Sequence, residues 1–179
     1  MDAIGEHSLQ WFAAERVDDG PDLPALVQLY SGLLYRVALS LVRNPSEAED
    51  VVQDVFLRVL QRQPELAAIV DLRPWLVRIA WNLALDRRRP RPQQMDESFA
   101  EALVSADLPA DEALEEAGRI RRVLAALERL PRREREALLL SAMDELSTAE
   151  IGAVMRRSES SVRSLLFRAR TRLRQRLED

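Results

Sequence analysis

Apolar residues recur every three or four positions along most of this chain and nowhere alternate in the manner of a strand, which predicts an all-α protein. Leu26, Leu29, Tyr30, Leu33, Leu34, Val37, Ala38 and Leu41 mark a first helix over 24–43, stopped by Asn44-Pro45. Ser46 is the expected cap of a second helix. Glu49 sits at its capping-box position, and Glu47, Glu49 and Asp50 suit its N-terminal dipole. The stripe there is Val51, Val52, Val55, Phe56, Val59 and Leu60. A third helix starts near Asp71-Leu72-Arg73-Pro74, with proline tolerated in its first turn. Leu76, Ile79, Ala80 and Leu83 should face inward; Arg73, Arg78, Trp81, Asn82 and Arg87-Arg88-Arg89 fall wholly or partly elsewhere on its surface. Pro90 and Pro92 close this first domain, 24–90.

The pattern then lapses. Residues 91–114 turn acidic with scattered apolar positions and read as a flexible linker, although a short helix between Met95 and Val104 fits the spacing. Helical periodicity returns over 115–177. Ile120, Val123, Leu124, Leu127 and Leu130 stripe one helix, and Pro131 ends it and opens the next, containing Ala137 to Leu140. Ser147 caps a helix over 148–155, with Glu150 completing a capping box. A bend at Arg156-Arg157-Ser158 follows. The last helix carries Val162, Leu165, Leu166, Ala169 and Leu173 on one side and Arg163, Arg168, Arg170, Arg172, Arg174 and Arg176 on the other. The expected architecture is therefore two small helical domains, the second ending in a helix-turn-helix with a basic second helix. Residues 1–23 form an N-terminal arm whose Trp11-Phe12 pair can cap the next domain or dock on a partner.

A net charge of −4 argues against nucleic-acid binding only until it is divided along the chain. From Ser147 to Leu177 there are eight Arg against Glu150 and Glu159; from Gln93 to Ala117 there are eight acidic residues and no Arg. All 26 basic residues are Arg. Arg suits bidentate contacts to phosphate and guanine, but the bias equally fits a GC-rich coding sequence. With no Cys and a single His, His7, the common disulfide, zinc and haem chemistries lack ligands, and no cofactor is expected. Gly5, Gly20, Gly32, Gly118 and Gly152 are isolated and form no phosphate loop, so the chain is not expected to be an enzyme. The N-terminus lacks the basic start of a signal peptide, and no uncharged stretch is long enough to span a membrane. The expectation is a cytoplasmic protein without membrane insertion.

Two basic surfaces remain as candidate chemistry. One is the terminal helix, where a merely solvated face is the competing reading. The other is the end of the third helix, where Arg78, Asn82, Asp86, Arg87 and Arg88 are accompanied by Trp75 or Trp81 and could hold a single strand by phosphate pairing and stacking. Trp75 reads as core. For Trp81, stacking and ordinary packing compete evenly, and the triple Arg also suits a helix C-terminus.

Several runs closely resemble bacterial RNA polymerase sigma factors. Leu34 to Ala38, Asn44 to Phe56 and Arg73 to Asp86 resemble the promoter-opening domain; Leu127 to Pro131, Arg135-Glu136, Ser147 to Met155, Ser161 to Ser164 and Arg168 to Arg170 resemble the second DNA-binding domain. The two-domain form is similar to the extracytoplasmic-function (ECF) group of the sigma-70 family. The resemblance implies that Glu49, Asp50, Gln53, Asp54 and Phe56 dock on the clamp helices of the largest polymerase subunit, with the flap of the second subunit as a further contact. It implies that Arg73, Arg78, Trp81, Asn82, Arg87 and Arg88, with the loop from Gln61 to Leu72, engage the non-template strand of the −10 element, capturing a base in the manner of base flipping. It implies that Arg157, Ser160, Ser161, Arg163, Ser164 and Arg168 read the −35 duplex, Arg163 being the first candidate for a base edge. The partners implied are polymerase core, promoter DNA and an anti-sigma factor, and the acidic linker would run through polymerase near the active-site and RNA-exit channels.

This chain departs from the family pattern in three places. Arg156-Arg157 replaces the usual glycine and aliphatic residue of the bend, where a left-handed non-glycine costs roughly 1–2 kcal/mol, so another bend shape is open. Leu165 stands where a basic residue is common, and Trp81 where a small or basic one is. The rival functions are a stand-alone helix-turn-helix regulator, which binds duplex by itself, and a helical adaptor that touches no DNA.

Overall fold

The computed structural model describes residues 22–62, 68–87, 99–100, 103–104, 109–143 and 146–178, all helical or connecting, with no strand among them. Seven helices follow in order: α1 Leu23–Val42, α2 Pro45–Gln61, α3 Leu72–Arg87, α4 Ala110–Glu128, α5 Arg132–Ser141, α6 Thr148–Met155 and α7 Glu159–Glu178. The first three pack on one another as one module, and α5, α6 and α7 form the heart of a second, with α4 laid against α7.

The caps explain most of the boundaries. α1 ends because Arg43 turns left-handed (φ 50°) and donates its N–H to Leu39 O. At the next residue, Asn44 Oδ1 accepts the Glu47 N–H at 3.1 Å and starts α2. Asn44 therefore supplies the cap expected from Ser46. Its extended backbone just before Pro45, which takes the first helical position, leaves Ser46 already inside the helix. Pro131 caps α5, and α4 begins at Ala110, inside the acidic stretch read as linker, with Asp111 and Glu112 in its first turn. Phe99 and Ala100 are helical, and Leu103 donates to both their carbonyls, inside the stretch read as linker, where the spacing also fits a short helix.

Leu34, Val37, Val42, Val51, Val55, Val59, Leu76 and Val77 are fully buried at the centre of the first module, each side chain contributing roughly 1.5–3 kcal/mol. α1 is long and apolar enough to cross a membrane by composition, even though Arg36 interrupts it. Here it is a core helix, with Leu33, Leu34, Val37, Ala38 and Val42 turned onto α2 and α3.

The modules do not stand apart. α3 packs against α6, α1 touches α5, and the buried residues of both modules form one continuous apolar cluster running from Leu26 to Leu166. Periodicity within each helix contains no sign of this contact.

Candidate nucleic-acid interface

On α2, Glu49, Asp50 and Gln53 are exposed, Asp54 is half-buried and Phe56 is buried. Phe56 was expected among the polymerase-docking residues. It packs inward beside Val55 and Val59, because its position falls on the apolar stripe, and it braces the acidic face from below. That face already holds a cation. Arg87, at the end of α3, donates to Asp54 at 2.6 Å, lies 3.8 Å from Asp50 and donates to the Glu47 carbonyl at 3.5 Å. A residue expected at the −10 strand and two expected at the polymerase thus meet in one cluster.

α3 is enclosed by α1 and α2 on one side and α6 on another, so it buries more than the single expected stripe: Pro74, Leu76, Val77, Ala80, Trp81, Leu83 and Ala84. Trp81 is only 4% exposed, which corrects the expectation of a −10 stacking contact in this arrangement. Asn82 is exposed, and Trp75 is half-buried against the core. Arg73 grips Glu150 of α6 through two bonds, Nε to Oε1 at 2.7 Å and Nη2 to Oε2 at 2.9 Å. Arg78 donates through Nη2 to the Ala153 carbonyl, also on α6, while its buried Nε finds no hydrogen-bond partner. Arg88 lies outside the described residues, as does part of the loop from Gln61 to Leu72.

The helix-turn-helix is built as the sequence pattern anticipates at its start. Ser147 Oγ accepts the Glu150 N–H at 3.3 Å, and Glu150 Oε2 accepts the Ser147 N–H at 2.8 Å, a complete capping box. Burial works against ionisation of Glu150. The bonds from the Ser147 side chain and backbone and from Arg73 outweigh it and hold the carboxyl below its ordinary range. The bend keeps the left-handed form despite the missing glycine: Arg156 sits at φ 54°, ψ 52°, so of the two shapes left open it takes the usual one. The glycine that matters lies earlier. A Cβ on Gly152 would come 2.7 Å from the Arg157 carbonyl oxygen, and the Gly152 carbonyl accepts the Arg157 N–H at 2.9 Å. Gly152 lets the two helices approach; in the sequence it looks like one more isolated glycine.

Ser158 Oγ accepts the Ser161 N–H at 3.3 Å and starts α7, and Thr148 Oγ1 donates to Glu159 across the turn at 2.6 Å. Thr148 and Arg163 together hold the Glu159 carboxyl below its ordinary range. Ser160, Arg163, Ser164 and Arg168 are exposed on the outer face, with Ser161 and Arg157 half-buried beside them. Arg163 pairs with Glu159 one turn back in its own helix and stays 67% exposed at the side chain. Leu165 is buried, so the position where a basic residue is common serves packing here. Arg168 is held from α5: Glu134, buried at 5%, accepts Arg168 Nε at 3.2 Å and Arg172 Nη1 at 2.7 and 2.8 Å. Arg168 and Arg172 therefore fix the pitch of α7 on the domain. Nothing in the local pattern singles out Glu134. Phe167, 73% exposed in the middle of the basic face, was likewise missed.

The chain matches the family models for Sigma-70 region 2 over residues 26–92 and for Sigma-70, region 4 over residues 120–173. It is 31% identical to the ECF RNA polymerase sigma factor SigM of Bacillus subtilis, over 83% of this chain and 91% of SigM. The chain belongs to the ECF group of the sigma-70 family. This sigma factor is also 33% identical to the "probable RNA polymerase sigma factor RfaY" of Xanthomonas campestris pv. campestris, over 79% of its own length, and spans 36% of that longer relative. Its fold is similar to that of CnrH, solved in complex with the cytosolic domain of CnrY (TM-score 0.64, 25% identity, 87% of each chain). Sigma factors direct promoter recognition by RNA polymerase and are initiation factors rather than enzymes, work that belongs to the cytoplasm where polymerase acts.

Proposed function

We propose that this sigma factor docks on polymerase core through the exposed acids of α2, captures the melted −10 strand on α3 and reads the −35 duplex with α7. Glu49, Asp50, Gln53 and Asp54 form the docking face, supported by Phe56. Arg73, Arg78, Asn82 and Arg87, with Arg88 by sequence, provide phosphate and base contacts at −10; Trp81 supports them from the core. Ser160, Arg163 and Ser164 face the −35 groove, with Arg157 and Ser161 at its edge and Arg168 held on Glu134 at its far side. The observation that carries the reading is the outer face of α7: Ser160, Arg163 and Ser164 project together from a doubly capped helix-turn-helix with the bend in its ordinary left-handed form.

Asp54, Glu159 and Glu134 each hold an arginine of these faces, which lowers the charge they offer to DNA and fits a subunit that depends on core enzyme for affinity. By the same resemblance, an anti-sigma factor holds the protein inactive; CnrH, with a similar fold, is bound by the cytosolic domain of another protein. Reconstitution with core polymerase on a promoter library tests the reading. Promoter-specific starts are expected only with both components. Tight sequence-specific duplex binding by the protein alone, with no core-dependent initiation, would favour the stand-alone regulator instead.

A further inference from the structure

Glu134 is the one buried charged residue among those described, its side chain 6% exposed in the first turn of α5. A carboxylate taken out of water needs compensating charge. This one receives two cations from α7 where one would serve. Arg168 donates Nε to Oε1 at 3.2 Å, and Arg172 donates Nη1 to the two oxygens at 2.8 and 2.7 Å. One carboxylate balances one guanidinium, so a full positive charge is left over on side chains still 49% and 44% exposed. Glu134 takes a single nitrogen from each. Both Nη of Arg168, and Nε and Nη2 of Arg172, have no partner among the described residues.

Helix geometry places that charge beside the outer face. At about 100° and 1.5 Å per residue, Arg168 and Arg172 lie roughly 40° and 80° round α7 from Ser164 and roughly 6 and 12 Å farther along it. In a recognition helix the N-terminal residues meet base edges, while positions one or two turns on and to one side come out of the groove onto the sugar–phosphate backbone. We propose that Arg168 and Arg172 are a two-armed clamp for a single backbone phosphate at the margin of the −35 element, and that Glu134 positions both arms. This rests on the assignment of α7 to the −35 duplex and adds Arg172 and Glu134 to it. A phosphodiester carries the one negative charge that the cluster lacks, and its two free oxygens accept from two guanidinium forks. Because Glu134 already holds both side chains, little rotamer freedom is lost when the phosphate arrives.

Arg172→Gln and Arg168→Gln each remove one arm and leave the other arginine on Glu134, so the buried carboxylate keeps a cation in both. Holoenzyme formed with each variant is bound to a promoter duplex scanned through the −35 region with methylphosphonates, which neutralise one phosphate at a time. In the parent one position should cost about tenfold in affinity, as expected for a charge-assisted contact. The same position should cost less than about threefold in either variant, the signature of a shared interaction. The slope of log affinity against log salt should become shallower by about 0.9 in each. The loss should be equal across −35 sequences, since a phosphate carries no base identity. If the two variants desensitise different phosphates, or neither desensitises any, there is no clamp.

Glu134→Gln tests the positioning by the sign of its effect. A carboxylate that only offset the arginines would leave, once neutralised, a more positive face and tighter binding. A positioning carboxylate predicts the reverse, about threefold weaker promoter binding with a smaller effect of the same methylphosphonate. Tighter binding would overturn the positioning role. If circular dichroism shows Glu134→Gln unfolded, Glu134→Asp takes its place, keeping the charge and drawing the oxygens back by one carbon; parent-like binding would then refute the role. Holoenzyme assembly should match the parent in both arginine variants. A loss of assembly in place of the DNA effect would give the cluster to an acidic surface of polymerase and end the proposal. If Arg163→Ala still alters base preference while no phosphate couples to Arg172, the clamp fails and the assignment of α7 stands. If the holoenzyme is indifferent to −35 sequence, both fail.

Discussion

The two helices proposed to face DNA treat their arginines differently. On α3 the cations are held by other elements: Arg73 and Arg78 by α6, and Arg87 by the acids of α2. On α7 the foremost cation, Arg163, is held by Glu159 of its own helix and remains largely in water. The pair is exposed and lies within one helix, so a phosphate or guanine can displace Glu159 at little cost. Freeing α3 instead requires separating packed helices. The face proposed for the −35 element is therefore open on the surface, whereas the arginines of α3 are held by neighbouring helices.

The largest expected effect separates docking from reading. Asp50→Arg with Asp54→Arg removes the acids of α2 and repels Arg87, and should weaken core binding at least about tenfold, measured by competition for holoenzyme assembly. If assembly survives, the docking face lies elsewhere. Gly152→Ala forces a Cβ against the Arg157 carbonyl and should destabilise the helix-turn-helix by about 1–3 kcal/mol in thermal unfolding. Arg163→Ala should cost about 1–3 kcal/mol of discrimination at one −35 position while core affinity stays at the parent value. An equal loss of assembly in Arg163→Ala and the Asp50/Asp54 pair would erase the contrast between the two helices. Arg156→Gly should stabilise by about 1 kcal/mol, since glycine takes the left-handed backbone without the Cβ penalty.

The smallest effect is a pH dependence. The folded carboxyl of Glu150 is held below its ordinary value, so its contribution to stability is complete above the unfolded carboxylate range and disappears as pH falls through the folded value. The stability difference between parent and Glu150→Gln should accordingly be constant from neutral pH down to about pH 5 and shrink in more acidic buffer, as read by denaturant titration. A difference that grows on acidification would mean that Glu150 is not ionised in the folded chain.

Much of this was legible in the chain because it depends on near neighbours. Helix stripes, the Ser147–Glu150 box and the division of charge all involve residues within a few positions of one another, where spacing and geometry are tied by the 3.6-residue turn. Even there, Asn44 displaced Ser46 as cap, because both are good caps and only the backbone before Pro45 selects between them. Trp81 could not be decided from α3 alone, since one stripe faces α1 and α2 and the second buried arc exists only because α6 arrives from 70 residues away.

The sequence by itself determined the all-helical class, the two modules, the family and the identity of the charged residues at each surface. Tertiary structure decided which of those charges are occupied: Glu150 by Arg73, Glu134 by Arg168 and Arg172, Asp54 by Arg87. The physical reason is that periodicity fixes the direction of a side chain about its own helix axis, whereas an ion pair needs a partner at a set distance. That distance is set by how whole helices pack, a property of buried surfaces shared between distant segments.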